Sequence, residues 1–338
     1  MNPDVATLHP DHAEATIMFI RIGLAILVAA FGAGVASAQD YPAKPVRIMV
    51  GFSAGGIADL GARLLADHIT RETGQTALVE NRPAAAGTIA IQAVAKAPPD
   101  GYTIGVVLSG QLVINPFVQK TYPLDALKDV LPVAAIGEAP QMIAINAGVP
   151  AKTLKEFVAL AKAKPGTMSY ASAGFGSLPH LSAAEFLRQA GITLVHVPYK
   201  GNQPATTDLL AGQVQLLSSS IGGLRAGLQA GKIRLLLVAT RNRLPYIPDV
   251  PTSAEAGVPD YLMTVWMGVV APTGTPQPVV DRLHGLVQGM LKDPGMVKKM
   301  AGAAIDVMPM SQSAFADFVK AEYARWRGIV KNAGVEPQ

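Results

Sequence analysis

Residues 46–69 read VRIMVGFSAGGIADLGARLLADHI, and this stretch decides the fold. Val46, Ile48 and Val50 make a short β-branched run that suits a buried strand. Gly51, Gly55 and Gly56 allow a tight turn and a close approach of a ligand to the backbone. Ile57, Leu60, Leu64, Leu65 and Ile69 then form the apolar stripe of a helix. Such a unit aims free backbone N–H groups and the positive end of the helix dipole at one point, which favours an anion.

Downstream, the pattern repeats. Residues 76–80 (TALVE) read as a second strand, residues 88–97 as a helix and residues 102–108 as a third strand after the turn Pro98-Pro99-Asp100-Gly101. This β-α-β-α-β order implies a parallel sheet covered by helices. Residues 109–117 form a loop and short helix at the C-terminal end of the third strand, where open α/β sheets bind ligands. Residues 133–147 are apolar and suit a crossing between domains. A second α/β series follows: Thr153-Leu154-Lys155-Glu156 is a capping box, residues 168–173 a strand, and residues 174–180 (GFGSLPH) a second glycine turn into a helix. Further strands are expected at 193–199, 214–219 and 233–240. Residues 261–271 suit the chain crossing back, and the remainder is mostly helical.

The expected architecture is therefore α/β with two lobes joined by two crossings. Lobe 1 comprises residues 39–140 and 272–338, and lobe 2 residues 141–271. The turns 51–59 and 172–180 face a shared cleft, the logic of a two-lobe closing receptor.

Upstream, Arg21 precedes an apolar run over residues 22–35 and the A-x-A site Ala36-Ser37-Ala38. This reads as a signal peptide cleaved after Ala38, with Gln39 first in the mature chain, and the apolar run is short for a membrane span. Asp4, Asp11 and Glu14 are out of place in a signal n-region, so residues before Met18 read as an extension and translation is expected to start there. The chain has 338 residues, half of them hydrophobic, enough for two domains. It has no cysteine, so an exported fold must rely on its core without disulfides. The formal charge of +4 becomes +6 on cleavage, because the leader carries one Arg against three acids. That balance is spread out and forms no nucleic-acid surface.

Gly51-Phe52-Ser53-Ala54-Gly55 matches G-x-S-x-G, the nucleophile elbow of serine hydrolases, in a strand–turn–helix context. His180 is the one plausible partner for a Ser53 nucleophile. Against this, the elbow sits on the first mature strand with no oxyanion loop before it, and a glycine-rich turn with a small hydroxyl donor is the simpler reading. Gly174-x-Gly176 begins a dinucleotide fingerprint, but Pro179 replaces its third glycine. Neither a Walker A sequence nor paired histidines at metal-ligand spacing occur, so no cofactor and no metal are expected. Asp59 either completes the first turn of its helix, where the dipole favours a carboxylate, or orders water and receives a donor group of a ligand. His180 and His196 read as core or capping histidines.

Several stretches together resemble one family, the substrate-binding receptors of tripartite tricarboxylate transporters, or Bug-type receptors. They include Gly55-Gly56-x-x-Asp59, Val79-Glu80-Asn81-Arg82-Pro83, Pro99-Asp100-Gly101-Tyr102-Thr103, Ala163-Lys164-Pro165-Gly166, Ser172-Ala173-Gly174-x-Gly176-Ser177-x-Pro179-His180-Leu181, His196-Val197-Pro198-Tyr199-Lys200-Gly201, Asp249-Val250-Pro251-Thr252, Ala254-Glu255-Ala256-Gly257 and Ala271-Pro272-x-Gly274-Thr275-Pro276. Their order spans the whole mature chain.

The resemblance implies a periplasmic receptor of the type II binding-protein fold (a Venus flytrap). Such a receptor holds a small organic carboxylate, partly through ordered water, and delivers it to a separate membrane permease. Carried onto this sequence, the first-lobe loop supplies Phe52, Ser53, Gly55, Gly56 and Asp59. The second-lobe loop supplies Ser172, Ala173, Gly174, Gly176, Ser177 and His180. Ser109 and Asn115, and Ser219 and Ser220, follow from their positions after strands. Departures are Ser53 where proline is common, the glycine-poor run Ala84-Ala85-Ala86-Gly87-Thr88, and Leu217-Ser218-Ser219-Ser220 without acidic or amide groups; an uncharged far wall suits a monocarboxylate or aromatic acid as well as a tricarboxylate. The expected protein is a non-enzymatic monomer. Two other readings remain open: a ligand-sensing co-receptor that docks onto a sensor protein, and a serine esterase using Ser53.

Overall fold

The computed structural model describes residues 41–338. The expected signal segment, its cleavage after Ala38 and the extension before Met18 lie outside the described residues. Strands β1 (Val46–Val50), β2 (Ala77–Asn81) and β3 (Thr103–Leu108) alternate with helices α1 (Ile57–Thr73) and α2 (Thr88–Ala95). The strand β1 is central and pairs in parallel with both β2 and β3. At the C-terminal end of β3 lie the short helices α3 (Ser109–Val113) and α4 (Asn115–Val118).

The strand β4 (Val130–Asn146) carries the chain across. Its second series is α5 (Leu154–Ala163), β5 (Ser169–Ser172), α6 (Leu178–Ala190), β6 (Val195–Pro198), α7 (Asn202–Ala211), β7 (Leu216–Ser220), α8 (Ile221–Gln229) and β8 (Ile233–Val238). The capping box opens α5, where Thr153 Oγ1 accepts the N–H of Glu156 at 3.2 Å. Then come β9 (Thr264–Pro272), α9 (Gln277–Lys292), α10 (Pro294–Gly302), β10 (Asp306–Val307) and α11 (Gln312–Asn332).

The path of strands runs β2-β1-β3-β9-β4-β7-β5-β6, with β8 and β10 also on β4. One strand therefore belongs to both halves. Residues from Val130 to Pro140 pair antiparallel with β9, and residues from Gln141 onward pair antiparallel with β7 and β8. The fold is thus α/β and two-lobed, with β4 running through both sheets. The return crossing lies earlier in the chain than expected. From Thr264 onward β9 sits between β3 and β4 in the first sheet, where the sequence assigned residues up to 271 to the other lobe. The reason is physical: β9 is apolar on both faces because it is a central strand covered on both sides, a pattern that also fits a crossing.

Aromatic packing fixes the helices on this sheet. Trp266 of β9 meets Phe315 of α11 edge to face at 5.7 Å, and a Cβ on Gly268 would lie 2.3 Å from the Phe315 ring. In the second half Phe186 packs edge-on against fully buried Tyr261 at 5.6 Å. The Tyr261 hydroxyl and Ser218 Oγ each share a 2.7 Å hydrogen bond with Ser182 Oγ. Among the described residues no helix is long and apolar enough to cross a membrane.

Candidate functional site

The first loop leaves β1 through Gly51, which must be glycine because of crowding. A Cβ there would lie 2.5 Å from the Cα of Gly87 and 2.7 Å from the Gln111 amide. Gly55 takes φ +88° and donates its N–H to Asp59 Oδ2 at 3.0 Å. Asp59 also accepts from Arg63 Nε at 2.9 Å and, on Oδ1, from Asn81 Nδ2 at 3.0 Å. Asn81 Nδ2 reaches the Phe52 carbonyl as well. Burial pushes the Asp59 carboxyl up, but Arg63, the Gly55 N–H and Asn81 outweigh it and hold it below the usual carboxylate value. Asp59 is 4 % exposed and both its oxygens accept within the loop, so it braces the turn. The N-cap of α1, Gly56, carries no capping side chain, which leaves the first-turn N–H groups without a side-chain acceptor.

The second loop uses the same position with other chemistry. Gly176, at φ +68°, donates its N–H to Nδ1 of His180 at 3.1 Å. That bond makes Nδ1 an acceptor and places the ring proton on Nε2. His180 stacks on His196 at 4.0 Å with the rings 2° from parallel, and Phe175 meets both edge-on at 5.0 and 5.2 Å. Burial, and secondarily the charge of His196, push the His180 ring down to about 4. His196 lies below its ordinary value through burial alone. Ser172 Oγ shares a 2.7 Å hydrogen bond with His196 Nε2, and Ser177 caps α6 while donating to the Gly174 carbonyl at 2.6 Å. A Cβ on Gly176 would lie 3.1 Å from Val118 of α4, so this turn touches the opposite wall.

A third wall joins them. Ala85, Ala86 and Gly87 take φ of +49°, +52° and +85° in succession. Their carbonyls accept from Gln119 Nε2 at 3.2 Å, Asn115 Nδ2 at 3.1 Å and Gln111 Nε2 at 2.9 Å. Side chains from α3, from the start of α4 and from the residue that ends α4 thus hold three consecutive carbonyls. Thr88 Oγ1 ties the ladder together, accepting from Asn115 and donating to Gln119.

Between these walls lies a cleft of about 730 Å³. Phe52 and Gly56 line it from the first loop, Gly176 and Ser177 from the second, and Ser109, Asn115, Ser219 and Ser220 from the remaining positions. Ser53, Gly55, Asp59, Ser172, Ala173, Gly174 and His180 do not line it; Gly55, Asp59, Ser172, Gly174 and His180 hydrogen-bond within the loops that do. Gln111, Gln119, Gln141, Asn202 and Glu336 line the cleft without having been singled out from sequence. Asn202 had a signal: it opens α7 directly after Gly201 at φ +114°, another glycine-started helix. The glutamines had none, because their direction is set by contacts distant in sequence.

The first residues of α1, α6 and α7 line the cleft, as does Ser220, the N-cap of α8. No Lys, Arg or His lines it, and Glu336 is its one ionisable side chain among the described residues. Helix dipoles and N–H groups are therefore its source of positive potential. Nor does the site form a hydrolase triad: no hydrogen bond joins Ser53 to a histidine, and His180 is engaged by Gly176 and His196. Ser172, which does meet a histidine, is fully buried. No group of His, Asp or Glu among the described residues is arranged to hold a metal ion.

Known proteins share this build. Protein BugT of Bordetella pertussis is 31 % identical over 322 residues, 95 % of this chain and 98 % of BugT. The structure of R. palustris Rpa4515 with adipate is 34 % identical with a TM-score of 0.76, covering 88 % of this chain and 100 % of that one. MatC from Rhodopseudomonas palustris with bound malate is 31 % identical with a TM-score of 0.72, over 86 % of this chain and 100 % of MatC. The profile of the tripartite tricarboxylate transporter family receptor, TctC, matches residues 61–335, and the chain belongs to that family of solute-binding receptors.

Proposed function

We propose that this chain is a periplasmic receptor that binds a small organic carboxylate in the cleft between its lobes and delivers it to a tripartite tricarboxylate-type membrane permease. The observation that carries the reading is the convergence of four helix N-termini on a cleft without a cationic side chain. Such a site attracts an anion through backbone dipoles. Each hydrogen bond to a charged ligand contributes about 1.5–3 kcal/mol. The carboxylates named with two related structures, adipate and malate, support the same ligand class here.

In this reading the first-turn N–H groups at Gly56–Ala58, with Ser177 and Ser220, face the ligand. Asp59 and His180 act behind them, holding the turns. The lobes move about the strands shared near Gln141 and close on the ligand. Isothermal titration of purified protein against mono-, di- and tricarboxylates and amino acids tests the reading. Binding of carboxylates in the micromolar range, abolished by wedging a bulky side chain at Gly56, is the expected result. No carboxylate binding below millimolar concentration would sink it. Mass spectrometry of ligand retained by the native protein would identify the compound.

A further inference from the structure

The floor of the cleft differs chemically from its mouth. At the mouth the turns offer N–H donors. At the floor three side chains from three elements offer both donors and acceptors. Ser109, at the start of α3, is 1 % exposed, and its hydroxyl has no hydrogen-bond partner among the described residues. Gln141 is 2 % exposed and lines the cleft. Ser220 pairs across the strands with Gln141 and caps α8 without a side-chain bond. Alternation along β4 fixes the direction of Gln141. Glu138 and Pro140 line a separate cavity on the other face of the strand, while Gln141 lines the cleft.

The buried Ser109 hydroxyl, left without a partner beside the polar Gln141 and Ser220, points to a ligand that supplies one. A second carboxylate would satisfy the donors but leave the Gln141 carbonyl oxygen facing another acceptor, since an ionised carboxylate cannot donate. It would also bury a charge where no cation lines the cleft. A group that both donates and accepts meets every demand. Resting on the receptor reading above, we infer that Ser109, Gln141 and Ser220 form a second recognition point for an uncharged hydrogen-bonding group, a carboxamide or hydroxyl, at the far end of a monocarboxylate. Gln141 is the residue that sets this specificity.

The test is titration of four ligands matched in length: an ω-carbamoyl acid, an ω-hydroxy acid, the dicarboxylate and the plain alkanoate, each at four, five and six carbons. At the length that binds best, the carbamoyl or hydroxy acid should bind about tenfold or more tighter than the alkanoate and the dicarboxylate. Gln141→Leu should abolish that preference, and Ser109→Ala should reduce it. Thermal melts of both variants separate a folding defect from a binding defect, and Ser109→Ala carries the test alone if Gln141→Leu does not fold. Tightest binding of the dicarboxylate, or equal binding of the alkanoate, overturns the inference and leaves the receptor reading standing. Absence of binding by all four ligands removes both.

Discussion

In the first lobe the N–H of Gly55 donates to Asp59, and in the second the N–H of Gly176 donates to His180. In both, the acceptor stands four residues after the glycine, at the third position of the helix that follows. The geometry is shared and the acceptor is not. A carboxylate beside a helix N-terminus is favoured by the dipole when charged, whereas an imidazole there is favoured when neutral. Asp59 is further held by Arg63 and Asn81, while His180 is held by ring stacking on His196 and by Phe175. Two turns aimed at one cleft therefore rest on an ion pair on one side and on uncharged aromatic packing on the other.

The largest break in this comparison is Asp59→Ala. It leaves the Gly55 N–H without its acceptor and the Asn81 amide with only the Phe52 carbonyl, and frees an Arg63 that water can reach. The expected loss is about 2–3 kcal/mol, measured by urea denaturation. Binding of any carboxylate ligand should weaken as well, because the 51–56 turn loses its brace.

Acid separates the two turns next. The folded-state value of His180 is about 4, below its ordinary 6.5, so the unfolded chain takes up the proton first. Stability contributed by neutral His180 is fully present above about pH 6.5 and is lost as pH falls toward 4, by about 1–2 kcal/mol. Asp59 is shifted the same way but is an acid, so its contribution persists until pH falls below the ordinary carboxylate value. The second turn thus fails first on acidification. Denaturation midpoints followed from pH 7 to pH 4 should fall in the wild type and stay flatter in His180→Asn, whose amide oxygen can still accept from Gly176. Equal slopes would contradict this account.

A smaller contrast lies in the glycines themselves. Gly55→Ala and Gly176→Ala each force a left-handed backbone on a residue with a Cβ and should each cost about 1 kcal/mol. Only at Gly176 does the new Cβ meet something, Val118 across the cleft at 3.1 Å; at Gly55 there is open space. Gly176→Ala should therefore also prop the lobes apart and weaken ligand binding, and Gly55→Ala should leave affinity close to wild type. Titration of both variants against one carboxylate reads the difference directly.

What could be read from sequence follows the same division. The strand–turn–helix units were legible because glycine and apolar spacing are local signals, and the parallel β2-β1-β3 pairing follows from their order. The G-x-S-x-G match alone could not decide the role of Ser53, because a local pattern does not reveal where a histidine ends up. The place of β9 was ambiguous because a central strand and a crossing are both apolar throughout. Gln111, Gln119 and Gln141 gave no signal, since an exposed glutamine and one aimed at a carbonyl or a cleft have the same local context. The departure at Ala84-Ala85-Ala86 did carry information: glycine is scarce there, yet the backbone still turns left-handed.

That last point sets the smallest and most specific prediction. Ala86 holds φ +52° although it has a Cβ, a conformation that disfavours alanine by about 1–2 kcal/mol relative to ordinary backbone. Glycine removes that strain but adds about 0.5–1 kcal/mol of unfolded-state entropy. Ala86→Gly should therefore stabilise the fold by about 0.5 kcal/mol if the loop keeps its shape. It will keep that shape if the amide ladder imposes it, because Asn115 grips the Ala86 carbonyl and Gln111 and Gln119 grip its neighbours. Repeating the substitution in an Asn115→Ala background separates the two contributions. With the ladder cut, the alanine no longer has to turn left-handed, and the gain from glycine should vanish. If Ala86→Gly stabilised both backgrounds equally, the ladder would not be what forces the turn.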